Sequence, residues 1–128
     1  MPTTMQLISA QTLTSASASV TFSSIPQTFT DLKLVCSARD TRTSSKNDNG
    51  QIRFNGDTTA TNYTAKRLFS DGNSPYSDSS NTNVWFMSSN AATANTYGNG
   101  EFYIPNYTSS QYKSVSIDSA GESNAGGG

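Results

Sequence analysis

Tyrosine is the residue whose type and setting most directly suggest chemistry in this chain. Tyr76, Tyr97, Tyr107 and Tyr112 all lie in or beside polar loops rich in Asn, Ser and Asp. A ring flanked by amides and carboxylates can stack on a sugar and bond its hydroxyls. The same ring can anchor a subunit contact, because aromatic residues are enriched at interfaces and dominate their energetics. Trp85, inside the apolar run Val84-Trp-Phe-Met87, reads with Phe86 as core, and is the one of the two better able to reach an interface. Tyr76, Trp85, Tyr97, Tyr107 and Tyr112 are therefore the candidates for subunit or glycan contact, and subunit contact is the stronger reading.

Catalytic constellations are sparse by comparison. The chain has no His, which removes Ser-His-Asp and Cys-His nucleophile activation, imidazole-bound zinc and histidine acid–base chemistry. The single Cys36 can form neither an internal disulfide nor a CxxC site. A carboxylate pair for glycoside hydrolysis would have to be Glu101 and Asp118, but neither sits in a motif, and both read as solvent-facing strand residues or turn caps. Asn47-Asp-Asn-Gly50 offers oxygen ligands for a calcium loop, yet Gln51-Ile52 does not continue that pattern, and a turn explains the residues better. Asp71 and Asp78, with the Asn and Ser between them, read the same way. No catalytic residue, metal site or cofactor is predicted.

Two further features are weak. Asn62-Tyr-Thr64 and Asn106-Tyr-Thr108 fit the glycosylation sequon, which arises by chance in a chain this rich in Asn and Thr. Arg39, Asp40 and Arg42 form a mixed-charge cluster, read as a solvated turn or as an ion pair across a subunit boundary.

The elements that must position these residues are strands. Twenty-two Ser, 17 Thr and 12 Asn stand against 20 Leu, Ile, Val and Phe in 128 residues, while eight Lys and Arg nearly cancel nine Asp and Glu. Such a chain is polar without being charged, so charge-driven disorder does not apply. Thirteen aromatic rings supply a small core efficiently. Apolar residues come in short, alternating clusters separated by Gly, Asn, Asp, Ser and Pro, which predicts about eight short strands in an antiparallel β-sandwich. The spans are Met5–Ser9, Ala16–Phe22, Asp31–Ala38, Gln51–Asn55, Tyr63–Phe69, Asn83–Met87, Glu101–Ile104 and Lys113–Asp118. Leu32, Leu34 and Cys36 should share an inner face, opposite Lys33 and Ser37. Asn83–Met87 is apolar on both sides, so it either crosses the middle of the sandwich or meets a partner.

Asn55-Gly-Asp, Asp71-Gly-Asn and Tyr97-Gly-Asn-Gly are expected to be tight turns, with Pro26 and Pro105 at strand margins. Residues 41–50 and 70–82 read as long polar loops. One sandwich domain is expected over residues 1–120, followed over 121–128 by a flexible Gly-rich tail or a truncated continuation. A strong strand so close to the last residue leaves a sheet edge that either a partner chain or further sequence should cover. The balanced charge offers no stripe for nucleic acid, no run is long enough to span a membrane, and residues 1–5 lack a secretory n-region, so export by the general route is not expected.

Four ordered segments carry a resemblance. Leu7-Ile-Ser-Ala-Gln-Thr-Leu13, Val20-Thr-Phe-Ser-Ser-Ile-Pro-Gln-Thr-Phe-Thr-Asp-Leu32, Ile52-Arg-Phe-Asn-Gly-Asp57 with Asn62-Tyr63, and Phe102-Tyr-Ile-Pro-Asn-Tyr-Thr-Ser-Ser-Gln-Tyr-Lys113 resemble small virion structural proteins of tailed phages infecting marine bacteria and cyanobacteria. The resemblance implies a non-enzymatic, jelly-roll-like β-sandwich on the external surface of a virion, as a capsid decoration or a tail or fibre component. Its implied partners are other virion proteins and copies of itself, with a trimer favoured. A host surface glycan is the alternative partner, which would make the chain a receptor-binding module. Similar proteins continue through further strands, whereas this chain ends in glycines.

Overall fold

A period-two pattern becomes a strand only where a neighbouring backbone completes its hydrogen bonds, and the chain meets that condition in seven places. The computed structural model of the chain describes residues 5–121. Its strands are β1 (Leu32–Ala38), β2 (Asn47–Gln51), β3 (Ala65–Ser70), β4 (Pro75–Ser80), β5 (Asn83–Ser88), β6 (Gly98–Ile104) and β7 (Ser116–Ala120), with one 3-10 turn at Ala60–Asn62. Every ladder between them is antiparallel. The fold is all-β, as the alternation predicts. A three-stranded sheet in the order β1-β6-β7 and two two-stranded ladders, β2-β5 and β3-β4, make it up, consistent with the expected antiparallel β-sandwich.

The three-stranded sheet has one dry and one wet face. Leu34, Phe102 and Ile117 stand side by side across β1, β6 and β7 and point inward. One residue along, Val35, Glu101 and Asp118 form the matching outward row. Leu32, Leu34 and Cys36 share the inner face as expected. Cys36 is half-buried there, and burial pushes its thiol pKa up.

The β2-β5 ladder lies over this sheet, and Trp85 closes the space between them. Its indole meets Phe102 edge to face at 5.9 Å between ring centres. Gly50, its ladder partner, and Gly100 flank it. A Cβ on Gly50 would come within 1.6 Å of the indole Nε1, and one on Gly100 within 2.8 Å of its Cε3. Gly98 is equally constrained, since a Cβ there would lie 2.6 Å from the Met87 backbone. The expectation of a turn at Tyr97-Gly-Asn-Gly is thus corrected: Gly98 and Gly100 are strand residues of β6, and they are glycines because β5 passes close above them. Val84, Trp85, Phe86 and Met87 are all sheltered, so β5 does run through the middle of the fold. Among the described residues the buried hydrophobic side chains are Trp85, Ala92, Phe102 and Ile104.

Three other expectations change. Residues 47–51 and 75–80 are strands, not loop, although Asn47-Asp-Asn-Gly-Gln and Pro75-Tyr-Ser-Asp-Ser-Ser carry no apolar alternation. Their neighbours template them: β5 supplies the ladder for β2, and β3 supplies it for β4 with Arg67 opposite Asp78 and Phe69 opposite Tyr76. Gln51–Asn55 contributes only Gln51 to a strand. Beyond it the chain turns at Asn55 (φ 53°) and Gly56 (φ 71°), as expected, and a small network holds the loop. Tyr63 Oη donates to the Asp57 carbonyl at 3.0 Å and accepts from the Phe54 N–H at 3.1 Å.

Met5–Ser9 and Ala16–Phe22 form no ladder at all. Their pattern is that of strands, but no strand in the described chain pairs with them. Most of this segment is exposed, including Met5, Leu7, Ile8, Leu13 and Val20. Pro26 likewise borders no strand, and instead its carbonyl accepts a hydrogen bond from the Tyr107 hydroxyl. The tail expected beyond Gly121 lies outside the described residues.

Acid should destabilise this protein, and pH changes near neutrality should leave its stability unchanged. The Tyr103 hydroxyl and Asn106 N–H hold the Asp31 carboxyl below its ordinary 3.8. Asn62 and the Thr59 N–H do so for Asp57, the N–H groups of Ser74 and Asn73 for Asp71, and Arg67 for Asp78. A carboxyl that is more acidic when folded contributes stability above its unfolded value, and that contribution is lost as pH falls through the folded value. In the opposite sense, Asp31 raises the Tyr103 hydroxyl above 10.0, so its contribution is present below that value and lost above it. Thermal melting should therefore be flat from about pH 5 to 8 and fall below about pH 4, since no His titrates between them. A melting temperature that changed steeply near pH 6.5 would contradict these assignments.

Candidate functional site

The aromatic candidates do not converge. Tyr76, on the β4 side of the β3-β4 hairpin, stacks on Phe69 at 5.5 Å and donates to the Asp71 carboxylate at 3.1 Å, which leaves it 45% exposed. Trp85 is only 7% exposed and is enclosed by its own chain. Phe86 is half-buried against Phe69 at 5.1 Å. Tyr97, just before β6, is exposed, and Tyr107 is half-buried with its hydroxyl spent on Pro26. Tyr112 stands free in solvent at 103%. No ring contact among the described residues joins two of these five.

What the structure does assemble is a cluster the sequence did not signal, on the inner side of the hairpin. Arg67 shares its face of β3 with Phe69. Its guanidinium lies 5.6 Å from the Phe69 ring centre and 5.2 Å from that of Phe86. The fork grips both oxygens of Asp78, from Nε at 2.8 Å and Nη2 at 2.5 Å, and Nη1 reaches Asn49 Oδ1 at 2.9 Å. One cation thereby ties β2, β3, β4 and β5 together. Only an arginine has the planar fork and two stacking faces for this, and a lysine would supply a point charge alone. The Arg67–Asp78 spacing of eleven residues was readable as a cross-strand pair only once β4 was known to be a strand.

The Arg39, Asp40 and Arg42 cluster is satisfied within the chain. Arg39 donates to the carbonyls of Ala92, Thr93 and Thr96 at 2.8 to 2.9 Å, so it organises the β5–β6 connection. Arg42 pairs with Asp48 at 2.8 Å. Within the described chain the charges of this cluster are met by internal bonds, and Arg42 stays exposed between β1 and β2. Asp48, expected in a turn or cation loop, is a strand residue bound to Arg42 and to the Asn49 N–H at 2.8 Å.

Glu101 and Asp118 are brought together. They are direct ladder partners on the outer face of β6 and β7, in an open depression lined by Val35, Asn99, Gly100, Ser119 and Ala120. Lys33 pairs with Glu101 from β1. Like charges opposite one another in a ladder are unfavourable by up to about 1 kcal/mol. Asp118→Asn should accordingly raise the denaturation midpoint, by about 0.2 to 1 kcal/mol, and more at low salt than at high. A loss of stability in that variant would mean that the Asp118 carboxylate has a favourable partner.

The wider surface is the more distinctive property. Exposed Leu7, Leu13, Val35, Leu68 and Tyr112 contribute to it. Among the described residues no further strand is hydrogen-bonded to β7 beyond β6, so β7 is an edge of its sheet.

No family model, curated protein or solved structure matches the chain.

Proposed function

We propose that this chain is a non-enzymatic structural protein of a phage virion, exposed on the particle surface, that works through subunit–subunit contacts as a capsid decoration or a tail or fibre component. The observation that carries the assembly half of this reading is the exposed surface of the described residues: large apolar side chains and a β7 edge with no further paired strand, which a polar, nearly uncharged protein leaves for another chain to cover. The phage half rests on the resemblance of the four segments named above. With few charges at stake, contacts made by rings, aliphatics, hydroxyls and amides should depend weakly on salt. Glycan recognition draws on Tyr76, Tyr97 and Tyr112, exposed rings that no ring contact among the described residues brings together, and isolated rings make a poor sugar site.

Mass spectrometry of purified virions tests the reading through copy number. A structural role at repeated positions gives many copies per particle and an oligomer in solution. Absence from the virion removes the phage assignment, while a few copies together with measurable binding to host polysaccharide would favour the receptor-binding alternative.

A further inference from the structure

Ala16-Ser-Ala-Ser-Val-Thr-Phe22 alternates apolar and hydroxyl side chains without a break, the pattern of a strand with one dry face. No strand among the described residues forms a ladder with it, and Ala16, Ala18 and Val20 lie exposed. A strand pattern left without a partner is one half of a pairing. The other half is also present. β7 is the terminal strand of its sheet, Ser116-Ile-Asp-Ser-Ala120, with Ile117 and Ser119 inward and Ser116, Asp118 and Ala120 outward.

We propose that residues 16–22 of one copy add as a strand to the open edge of β7 in a second copy. This inference rests on the assembly reading above and names the contact that carries it. Strand addition satisfies backbone groups on both sides at once, while the alternating side chains supply specificity. Laid beside β7, Ala18 and Val20 extend the dry row of Leu34, Phe102 and Ile117, and Ser17, Ser19 and Thr21 extend the outer row of Val35, Glu101 and Asp118. The reverse registration would put Val20 and Phe22 in water, so the pattern selects one face.

Charge favours this edge and this occupant. Residues 1–30 contain no Asp, Glu, Lys or Arg, so the arm meets Asp118 and Glu101 without like-charge repulsion. β7 carries neither the Lys nor the Pro that blunts an exposed edge. β1, the other margin of the sheet, carries Lys33 and is already engaged beyond its end, where Arg39 bridges Ser88 and the Asp40 N–H bonds the Ser88 carbonyl at 2.8 Å. A second copy is the fitting partner because each chain holds both halves, and each gives one arm and receives one. Such a head-to-tail contact closes into a ring or runs on as a filament.

The test uses the full chain with Cys36→Ser. Asp118→Cys is combined in turn with Ser17→Cys, Ser19→Cys or Thr21→Cys, oxidised gently and run on a non-reducing gel. At least one combination should yield disulfide-linked chains of two and more copies. In parallel, Val20→Lys should weaken association by about tenfold or more in light scattering, with an unchanged circular dichroism spectrum. A disulfide closed within one chain, no disulfide in any combination, or association unaffected by Val20→Lys each overturns the inference while the oligomer, and with it the structural reading, stands. A parent chain that is monomeric at every concentration overturns both.

Discussion

Replacing Gly50 with Ala should lower stability by about 3 kcal/mol or more, and should report itself through the only tryptophan in the chain. The new methyl would sit 1.6 Å from Trp85 Nε1, 2.3 Å from Cε2 and 2.4 Å from Cδ1. These are separations at which no rotamer adjustment of a few degrees suffices. The indole cannot retreat, because Gly100 and Phe102 already press on it from β6. Either the ring leaves the core or β2 leaves β5. Typical overpacking costs about 1 to 3 kcal/mol, and this site has less room to relax than most. Denaturant titration followed by Trp85 emission distinguishes the outcomes. An earlier midpoint with red-shifted native emission means an expelled ring, and an earlier midpoint with unshifted emission means a detached β2. A variant with the parent's midpoint would show that the indole does not lie over Gly50.

Phe102→Ala is expected to be nearly as damaging, by about 3 to 5 kcal/mol. Phe102 is 2% exposed, stands in the middle of the central strand, and touches Trp85 from below. A domain has only about 5 to 15 kcal/mol in total. With four buried hydrophobic residues among those described, this chain has little to spare, and the variant should lose its cooperative melt or melt close to room temperature. Leu68→Ser is the control. It removes a comparable apolar side chain that is 87% exposed on the outer side of β3, and it should change the monomer's stability by no more than about 0.5 kcal/mol. If Leu68→Ser were as costly as Phe102→Ala, Leu68 would be covered by another molecule. That result would locate a second contact face at the hairpin.

The reading of function stands on what these two side chains exemplify. A core this small leaves many large residues outside, and the exposed ones are distributed over the residue 5–22 segment, β1 and the β3-β4 hairpin rather than gathered in one cleft. Surfaces of that kind suit repeated contacts with other chains better than capture of a small substrate.

Several local features were legible because they depend on nearest neighbours along the chain. Alternation assigned the inner and outer residues of β1 and β7, and it marked β5 as sheltered on both sides. Asn55-Gly56 and Gly72 adopt the positive φ their positions suggested, because a turn's geometry is decided by a few consecutive residues. The apolar count and the absence of long periodic runs pointed to an all-β chain without helices. The interface candidates were read from loop chemistry alone. That reasoning is blind to packing, so it kept Trp85, read as core, among the interface candidates beside the freely exposed Tyr112.

Which strands pair was decided only in three dimensions. β2 and β4 look like loops in one dimension and are strands, whereas Ala16–Phe22 looks like a strand and finds no ladder. A side-chain pattern states which face of a strand would be dry, and it carries no information about whether a backbone N–H has a carbonyl opposite it. Trp85 needed Gly50 and Gly100, 35 residues back and 15 forward, to have a place at all, and Arg67 needed Asp78 and Asn49 from two other strands. Amino-acid order thus determined the class of element and the sidedness of each strand. Chain folding decided the partners, because hydrogen bonding across a sheet joins residues that are remote along the backbone.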